Sequence, residues 1–585
     1  MKQVSSVYAN SMKSTLRNRS YVKVVFGDVN TKATKVEKFS SNGELPYSDT
    51  DTLKYDYPYD LTCATLELNR WRLNGKSKIL SNKSTDRDGF ISNVLSDENG
   101  VFVTSPILTI SFPQKYIFPG LSLKFDTRMN EWPNEIYINW YSDDTLIDSK
   151  TIIPTTSQIA LSYGVSNCNK ITVSASKILP YRRFRIEEVI LGIERNYLNS
   201  EIISLQEKSD VDPISRRLPK EDFKFTIVDY QHLYDPDNPD GIYKFIDSKA
   251  PVRISFGYEL PNGQVEWLMP DHYLLSGKPT TKNSKTSFSG TRQIEALSEI
   301  YYKSTLGEKS LYTLAENVLV DAGLIADDGT NLWIIDDSLK SIKTTAALPI
   351  CTHAECLQLI AHAGMCKLYT DNSGIIHIEP FSIQNQDSTF SLDFNSIYEN
   401  TQIGTKNAEL RSIIISKYSY TENGTQTLFE GETSETICHV EFDSFAKDIQ
   451  ISVTGGSLIS SKVFAKAADL VLSEGSKKII ITGTTLSQVT SKITYKVNSN
   501  GEDDQIENPL ITTDSMAISL ANHIKSYLIY RSTYDLTYRG NPEVEVGDFI
   551  SVETPYTNKM NSLVLTHTIT FSGTLRGIMT VKGLL

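Results

Sequence analysis

Near its C-terminal end the chain runs Tyr538-Arg539-Gly540-Asn541-Pro542-Glu543-Val544-Glu545-Val546-Gly547-Asp548-Phe549-Ile550, and no regular helix can pass through it. Gly540 tolerates positive φ, Pro542 fixes its own φ, and with Asn541 they force a tight turn. Gly547-Asp548 marks a second turn. A helical run over 513–527 and a strand over 532–538 lead into the stretch, and a strand over 549–553 leaves it. The spacing therefore predicts helix, strand, turn and strand, in that order.

The remainder reads as mainly β and multidomain, with α+β elements. A chain of 585 residues exceeds one hydrophobic core and predicts roughly three to five domains. Hydrophobic residues at 39% and charged residues at 22% describe a folded globular chain, and 30 Tyr with 22 Phe favour strands. A net charge of −12 argues against wrapping nucleic acid along its phosphates, yet suits a channel wall that a polyanion must pass without sticking. The six cysteines (Cys63, Cys168, Cys351, Cys356, Cys366, Cys438) show no framework spacing and read as reduced, small, buried groups. Residues 1–21 hold no apolar segment of the secretory kind, and no apolar run approaches ~18 residues, so neither a signal peptide nor a membrane helix is expected.

Residues 7–19 predict a short polar helix or arm, and 21–26 a strand with Val22, Val24 and Phe26 on one face. Between 46 and 195, strands over 107–112, 121–125, 135–141, 149–153, 170–174 and 185–193 alternate with turn signals, which predicts a β-sandwich. Longer strands follow over 223–229, 251–259, 265–270 and 286–289. Leu311, Leu314, Ala315, Val318, Leu319 and Ala322 recur at helical spacing up to Gly323; a second helix covers 354–362, and a hairpin pairs 366–370 with 375–379. Strands at 410–418, 435–440, 449–453 and 478–484, and a helix at 461–467, complete the prediction.

The helix followed by "RGNPEVEVGDFISV" resembles the last barrel of phage baseplate hub proteins, a family that includes the N-terminal part of siphophage tail-associated proteins. "LPKEDFKFTIVDYQHLYDPDNPDGIY" and "AECLQLIAHAGMCKLYTDNSGIIHIEP" resemble that family's first barrel and its small α+β domain. The pattern "PILTISF … GLSLKFD … WPNEIYINWYSDD … KITVSASKILPYRRFRIEEVILG" resembles a galactose-binding-like, discoidin-type sandwich. The resemblance implies a first hub β-barrel from 1–45 plus 200–305, interrupted by an inserted sandwich at 46–199. A small α+β domain at 306–400 and a second hub β-barrel with associated helices at 401–585 complete the division. It implies that strand 21–26 pairs beyond residue 200 and that the two barrels share a strand order.

The implied role is structural and non-enzymatic. A homotrimer would form a virion ring at the tail tip, assembled in the host bacterial cytoplasm. Its implied partners are the distal tail protein and tail-tube ring, the tape-measure protein, and other baseplate or receptor-binding proteins, with DNA passing through without specific binding. Cell-wall cleavage is expected of other polypeptides. The rival reading is a receptor-binding protein whose sandwich takes host surface carbohydrate.

Candidate chemistry is sparse. Cys351-x-His353-x2-Cys356-x5-His362-x3-Cys366 carries zinc-type ligands but lacks a second tight pair, so helix–hairpin packing is expected instead. Asp235-Pro-Asp237-Asn-Pro-Asp240-Gly241 has Pro239 and Ile246 where a calcium loop needs oxygen ligands, so a surface turn is expected. No nucleophile, P-loop or dinucleotide motif is present, and His272, His377, His439, His523 and His567 are scattered. No catalytic residue, cofactor or metal is expected. The densest basic spot, Arg182-Arg183-Phe184-Arg185, and Trp132 are the candidate carbohydrate or partner contacts. The competing expectations are a solvated strand start for the arginines and core filling for Trp71, Trp132 and Trp140.

Overall fold

The computed structural model describes the chain apart from residues 15, 30–32, 34–36, 47, 55–64, 71–88, 128, 239–240, 242, 244–245, 247, 326–329, 384–387, 389, 399–401 and 585. The described residues are mainly β, in several sheets, with four α-helices. These are α1 (Ser6–Lys13), α2 (Leu311–Asp321), α3 (His353–Ala363) and α4 (Asp514–Leu528). Each starts where a hydroxyl can satisfy orphan amides: Ser5, Ser310, Thr352 and Thr513 are the caps, and Thr352 forms a full capping box with Glu355. Gly323, at φ 72°, lies just beyond the end of α2.

Twelve strands of the largest sheet fall into two runs of six. The first run, in chain order, is β1 (Ser20–Val29), β2 (Ile202–Asp210), β3 (Lys220–Val228), β4 (Pro251–Glu259), β5 (Asp271–Leu275) and β6 (Lys285–Thr291). The second is β7 (Phe390–Leu392), β8 (Ile403–Lys406), β9 (Ser532–Tyr538), β10 (Phe549–Thr554), β11 (Thr557–Phe571) and β12 (Leu575–Gly583). Laterally the first run is ordered β1-β4-β5-β6-β3-β2 and the second β7-β10-β11-β12-β9-β8, which is the same permutation. The match extends to a loop contact. Lys249 N donates to Leu275 O (2.8 Å) and Leu275 N to Ala250 O (2.9 Å) in the first run. Gly547 N donates to Val564 O (2.8 Å) and Val564 N to Asp548 O (3.0 Å) in the second. One difference stands: β1 is antiparallel to β4, whereas β7 is parallel to β10.

Each run buries alternate residues on its own core, as period-2 strands must. Val22, Val24, Phe26, Phe225, Ile254 and Phe288 are among the first set, with Phe225 and Phe288 stacked at 4.6 Å. The second is built on Leu392, Leu536, Tyr538, Ile550, Val564 and Met579. The runs are not separate. β2 pairs with β3 on one edge and with β11 on the other, from Leu205↔Phe571 to Asp210↔Thr566, and Ile569, Phe571 and Leu575 enter the first core.

Both runs are interrupted. Between β1 and β2 lies a six-stranded antiparallel sheet of Lys38–Ser41, Ile107–Lys124, Gln158–Lys177, Glu135–Ser142, Thr145–Ile152 and Glu188–Ile190. A two-stranded ribbon of Phe90–Ile91 and Arg185–Ile186 packs over a shared core that includes Phe118, Trp140 and Phe184. The separate strands expected at 107–112 and 121–125 are one strand. Register shifts leave Pro113 and Pro119 outside the pairing, so neither missing amide breaks the ladder.

Between β8 and β9 lies a second β insertion. Leu410–Thr433 and Lys477–Lys496 pair along most of their length, and a three-stranded sheet of Ile437–Glu441, Ala467–Leu472 and Leu458–Val463 sits with them. The helix expected at 461–467 is absent: Ser461, Lys462 and Val463 pair with Leu470, Asp469 and Ala468, so cross-strand pairing overrides the helix-forming Lys and Ala.

Gly577 faces Tyr538 so closely that a Cβ would stand 2.1 Å from its ring. Gly577→Ala is expected to cost about 1–3 kcal/mol by overpacking, read as a lowered urea midpoint, while Gly277→Ala, with open space around it and no positive φ, costs less.

Candidate functional site

A cavity of about 330 Å³ lies where the two runs meet the hairpin of Cys366–Thr370 and Ile376–Pro380. Its centre is Arg292, just past β6. The guanidinium pairs with Asp271 (2.8 Å) and Glu221 (3.4 Å) and donates to the carbonyls of Thr370 (3.1 Å) and Asp371 (2.8 Å). Burial alone would lower its pKa, but Glu221, Tyr273 and Asp271 hold it well above the ordinary value. Asp271 also accepts from Lys2. Across the cavity, Asn372 Nδ2 donates to Glu545 Oε1 (2.7 Å), tying the 371–374 turn to the second run.

Glu207, on β2, is buried beside this set. Burial and the nearby Asp271 raise its pKa to about 8, against the opposing pull of Lys2, Arg292 and the Tyr273 hydroxyl. Nearby, Tyr538 Oη and His567 Nε2 are 2.8 Å apart, and burial pushes His567 down to about 4, which keeps it neutral. The Gly540-Asn541-Pro542 turn receives the N-terminal arm: Tyr8 Oη donates to Asn541 Oδ1 (3.1 Å) and Arg17 Nη1 to Gly540 O (2.7 Å). Opposite charges and carbonyls take up these groups in pairs, which is an arrangement for joining segments.

The sequence-selected residues are placed elsewhere. Arg183 is buried and donates to Thr65 O (2.8 Å), Ser92 O (3.1 Å) and Asn93 O (2.6 Å). Arg185 is buried and pairs with Glu67, with Asp126 at 3.7 Å. Both are therefore engaged inside the insertion, not held as a solvated strand start. Arg182, partly exposed, pairs with Glu131 at 3.0 Å, and Trp132 packs half-buried on the insertion core, which holds Trp140 buried. Trp71 and Cys63 lie outside the described residues.

Of the five zinc-type residues, only Cys351 and Cys356 meet, with Sγ atoms 3.3 Å apart. His353 bonds to Glu299 O (2.8 Å) and Asp321 (3.0 Å), His362 contacts Asn508 (3.3 Å), and Cys366 donates to Gly364 O. In the 235–241 turn, Asp235 accepts from the Asp237 amide (3.0 Å); Asp240 lies outside the described residues. Among the described residues no three of His, Cys, Asp and Glu gather as a metal-binding set. His377 stacks on Tyr369 and contacts Glu379 (3.0 Å), His439 contacts Asp469 (2.7 Å), and burial lowers His272 and takes His523 to about 4.

Sequence reading missed Lys2, Glu207, Asp271 and Arg292 because they are isolated along the chain. The usable signal was a charged residue at an inward position of an alternating strand, as Glu207 is between Leu205 and Ser209.

Comparison with known proteins finds a match over residues 416–538 to the family described as "Thiamine biosynthesis protein (ThiI)", well under half of the chain. No curated protein matches. Among solved structures, the chain is similar to a prophage MuSo2 43 kDa tail protein from Shewanella oneidensis at 12% identity and TM-score 0.36, covering 66% of this chain and 95% of that one. A tail protein from Neisseria meningitidis is similar at 9% identity and TM-score 0.36, covering 66% and 93%. A prophage tail protein from Listeria monocytogenes is similar at 9% identity and TM-score 0.36, covering 66% and 91%.

Two outcomes test the ionic seam. Arg292→Met leaves buried Glu221 without its guanidinium and Asp271 with Lys2 alone, and is expected to destabilise the full chain by about 3–5 kcal/mol in thermal unfolding. Glu207 titrates higher folded than unfolded, so its contribution is fully present below its unfolded value and is lost as pH rises through about 8. Glu207→Gln should therefore match the parent near pH 5 and exceed its melting temperature above pH 8.

Proposed function

We propose that this chain is a structural hub subunit at the tail tip of a tailed phage or prophage-derived particle. Three copies close into a ring that caps the tail tube. The observation that carries the reading is the repeated six-strand order, which gives each chain two equivalent units. Three such chains present six units, so a threefold ring can dock on a sixfold tube. The resemblance of the 538–550 stretch and its preceding helix to hub proteins supports the same role.

In this reading the work is mechanical. One face of the ring meets the distal tail protein and the tube, and the tape-measure protein ends against it. The insertion between β1 and β2, the expected galactose-binding-like module, faces other baseplate or receptor-binding proteins. The ring opens for DNA, and a net charge of −12 keeps the passing phosphates from binding. No catalytic step is assigned.

The assembled species should weigh about 197 kDa by analytical ultracentrifugation, three times the 65.6 kDa chain, and antibody against it should label the tail axis in negative-stain images. Peripheral labelling would overturn the hub reading. The insertion should also be dispensable: Val29 and Gly192 are paired across β1 and Gly192–Leu198, so a short Asn-Gly turn can replace 30–191. That variant is expected to stay folded and to keep its oligomeric state.

A further inference from the structure

We propose that the bare edge of β8 in one copy of this chain pairs with the 277–282 segment, just past β5, of a second copy, repeating between chains the junction that β2 and β11 make within one. The inference rests on the ring reading above and adds the interface.

The argument starts from equivalence. β2 and β8 hold the same place in their runs: each is the outermost strand, paired to the third strand in chain order. The free edge of β2 pairs with residues 566–571, the part of β11 beside its hairpin turn to β12. In the first run the corresponding stretch is 277–282, beside the hairpin turn to β6, where Thr280–Lys282 pairs with β6 from Thr280↔Ser287 to Lys282↔Lys285. The shared loop contact fixes the correspondence: Leu275 and Val564 hold the same position, and seven residues further on Lys282 and Phe571 each stand at the hairpin turn.

Both surfaces are open. All four residues of β8 are exposed, including Ile403 at 60%, and Thr280 and Lys282 are exposed too. Among the described residues no strand pairs with the outer edge of either segment. An unpaired edge carrying an exposed isoleucine invites another strand. The edge that donates and the segment that accepts differ, so the contact is heterologous and propagates in one direction until a ring closes. Each chain then contributes one junction internally and one to its neighbour.

Cysteine pairs test this in the full chain. Thr405→Cys with Lys278→Cys, and Lys406→Cys with Lys278→Cys, cover the register to within one residue; under mild oxidation at about 100 μM, at least one pair should give interchain disulfides closing at three chains, because facing Cβ atoms in a ladder are about 4.5–5.5 Å apart. Each single substitution alone should give none. Ile403→Lys should weaken assembly at least tenfold in sedimentation while leaving the circular dichroism spectrum unchanged. A trimer that forms without the disulfide overturns this interface and leaves the hub reading standing. A chain that stays monomeric and uncrosslinked overturns both, and disulfide ladders running past three support the edge pairing but sink the closed ring.

Discussion

The fold depends on one strand having both edges occupied. β2 closes the first run against β3 and, on its other side, forms six residue pairs with β11. Each backbone hydrogen bond contributes only about 1 kcal/mol net, but an amide left buried and unpaired costs more, so the junction is favoured chiefly by what separation would expose. The same strand places Leu205 in the shared core and Glu207 in the ionic seam. Register is thereby fixed: a one-residue slip would turn both Leu205 and Glu207 away from their buried partners and bring the exposed Gln206 and Lys208 inward.

Arg292 and the N-terminal arm both brace that junction, meeting at Asp271. Arg292 grips the 370–371 carbonyls and so fastens the hairpin of the α+β unit beneath the two runs. The arm crosses to the second run, where Tyr8 and Arg17 engage the Gly540-Asn541 turn. Gly540 sits at φ 48°, with the Arg576 and Gly577 backbone about 3.0–3.1 Å from where a Cβ would be. The turn that most restricted the sequence is thus a receiving surface for residues more than five hundred positions earlier.

Local chemistry was legible and lateral order was not. Caps and apolar spacing placed α2, α3 and α4 to within one residue or so, because helix ends are set by neighbours in sequence. Strand existence followed from alternation, as Val22, Val24 and Phe26 illustrate. The failures came where partners are distant: 107–112 and 121–125 looked like two strands until register shifts left Pro113 and Pro119 outside the pairing of one, and 461–467 looked helical until Ala467–Leu472 claimed it as a partner. Arg183 and Arg185 looked like an exposed basic patch because Glu67 and Asp126 lie over fifty residues away. Charge pairs of that separation leave no spacing rule to read.

The two runs keep strand order while their corresponding strands differ in character, and that difference has a physical logic. β2 meets its partner inside one chain, at very high effective concentration, so it can bury a leucine and carry a carboxylate with a strongly perturbed pKa. β8 is short and exposed, ending in Lys406. In the proposed interface β8 would wait for another molecule, and its shortness and terminal lysine would limit indiscriminate pairing. The insertions sit on either side of these strands in sequence, one before β2 and one after β8, so strand order can repeat while the surfaces around each junction do not. Selection for a contact within the chain and for one between chains would pull the two edges apart in this direction, with the shared permutation left as the common framework.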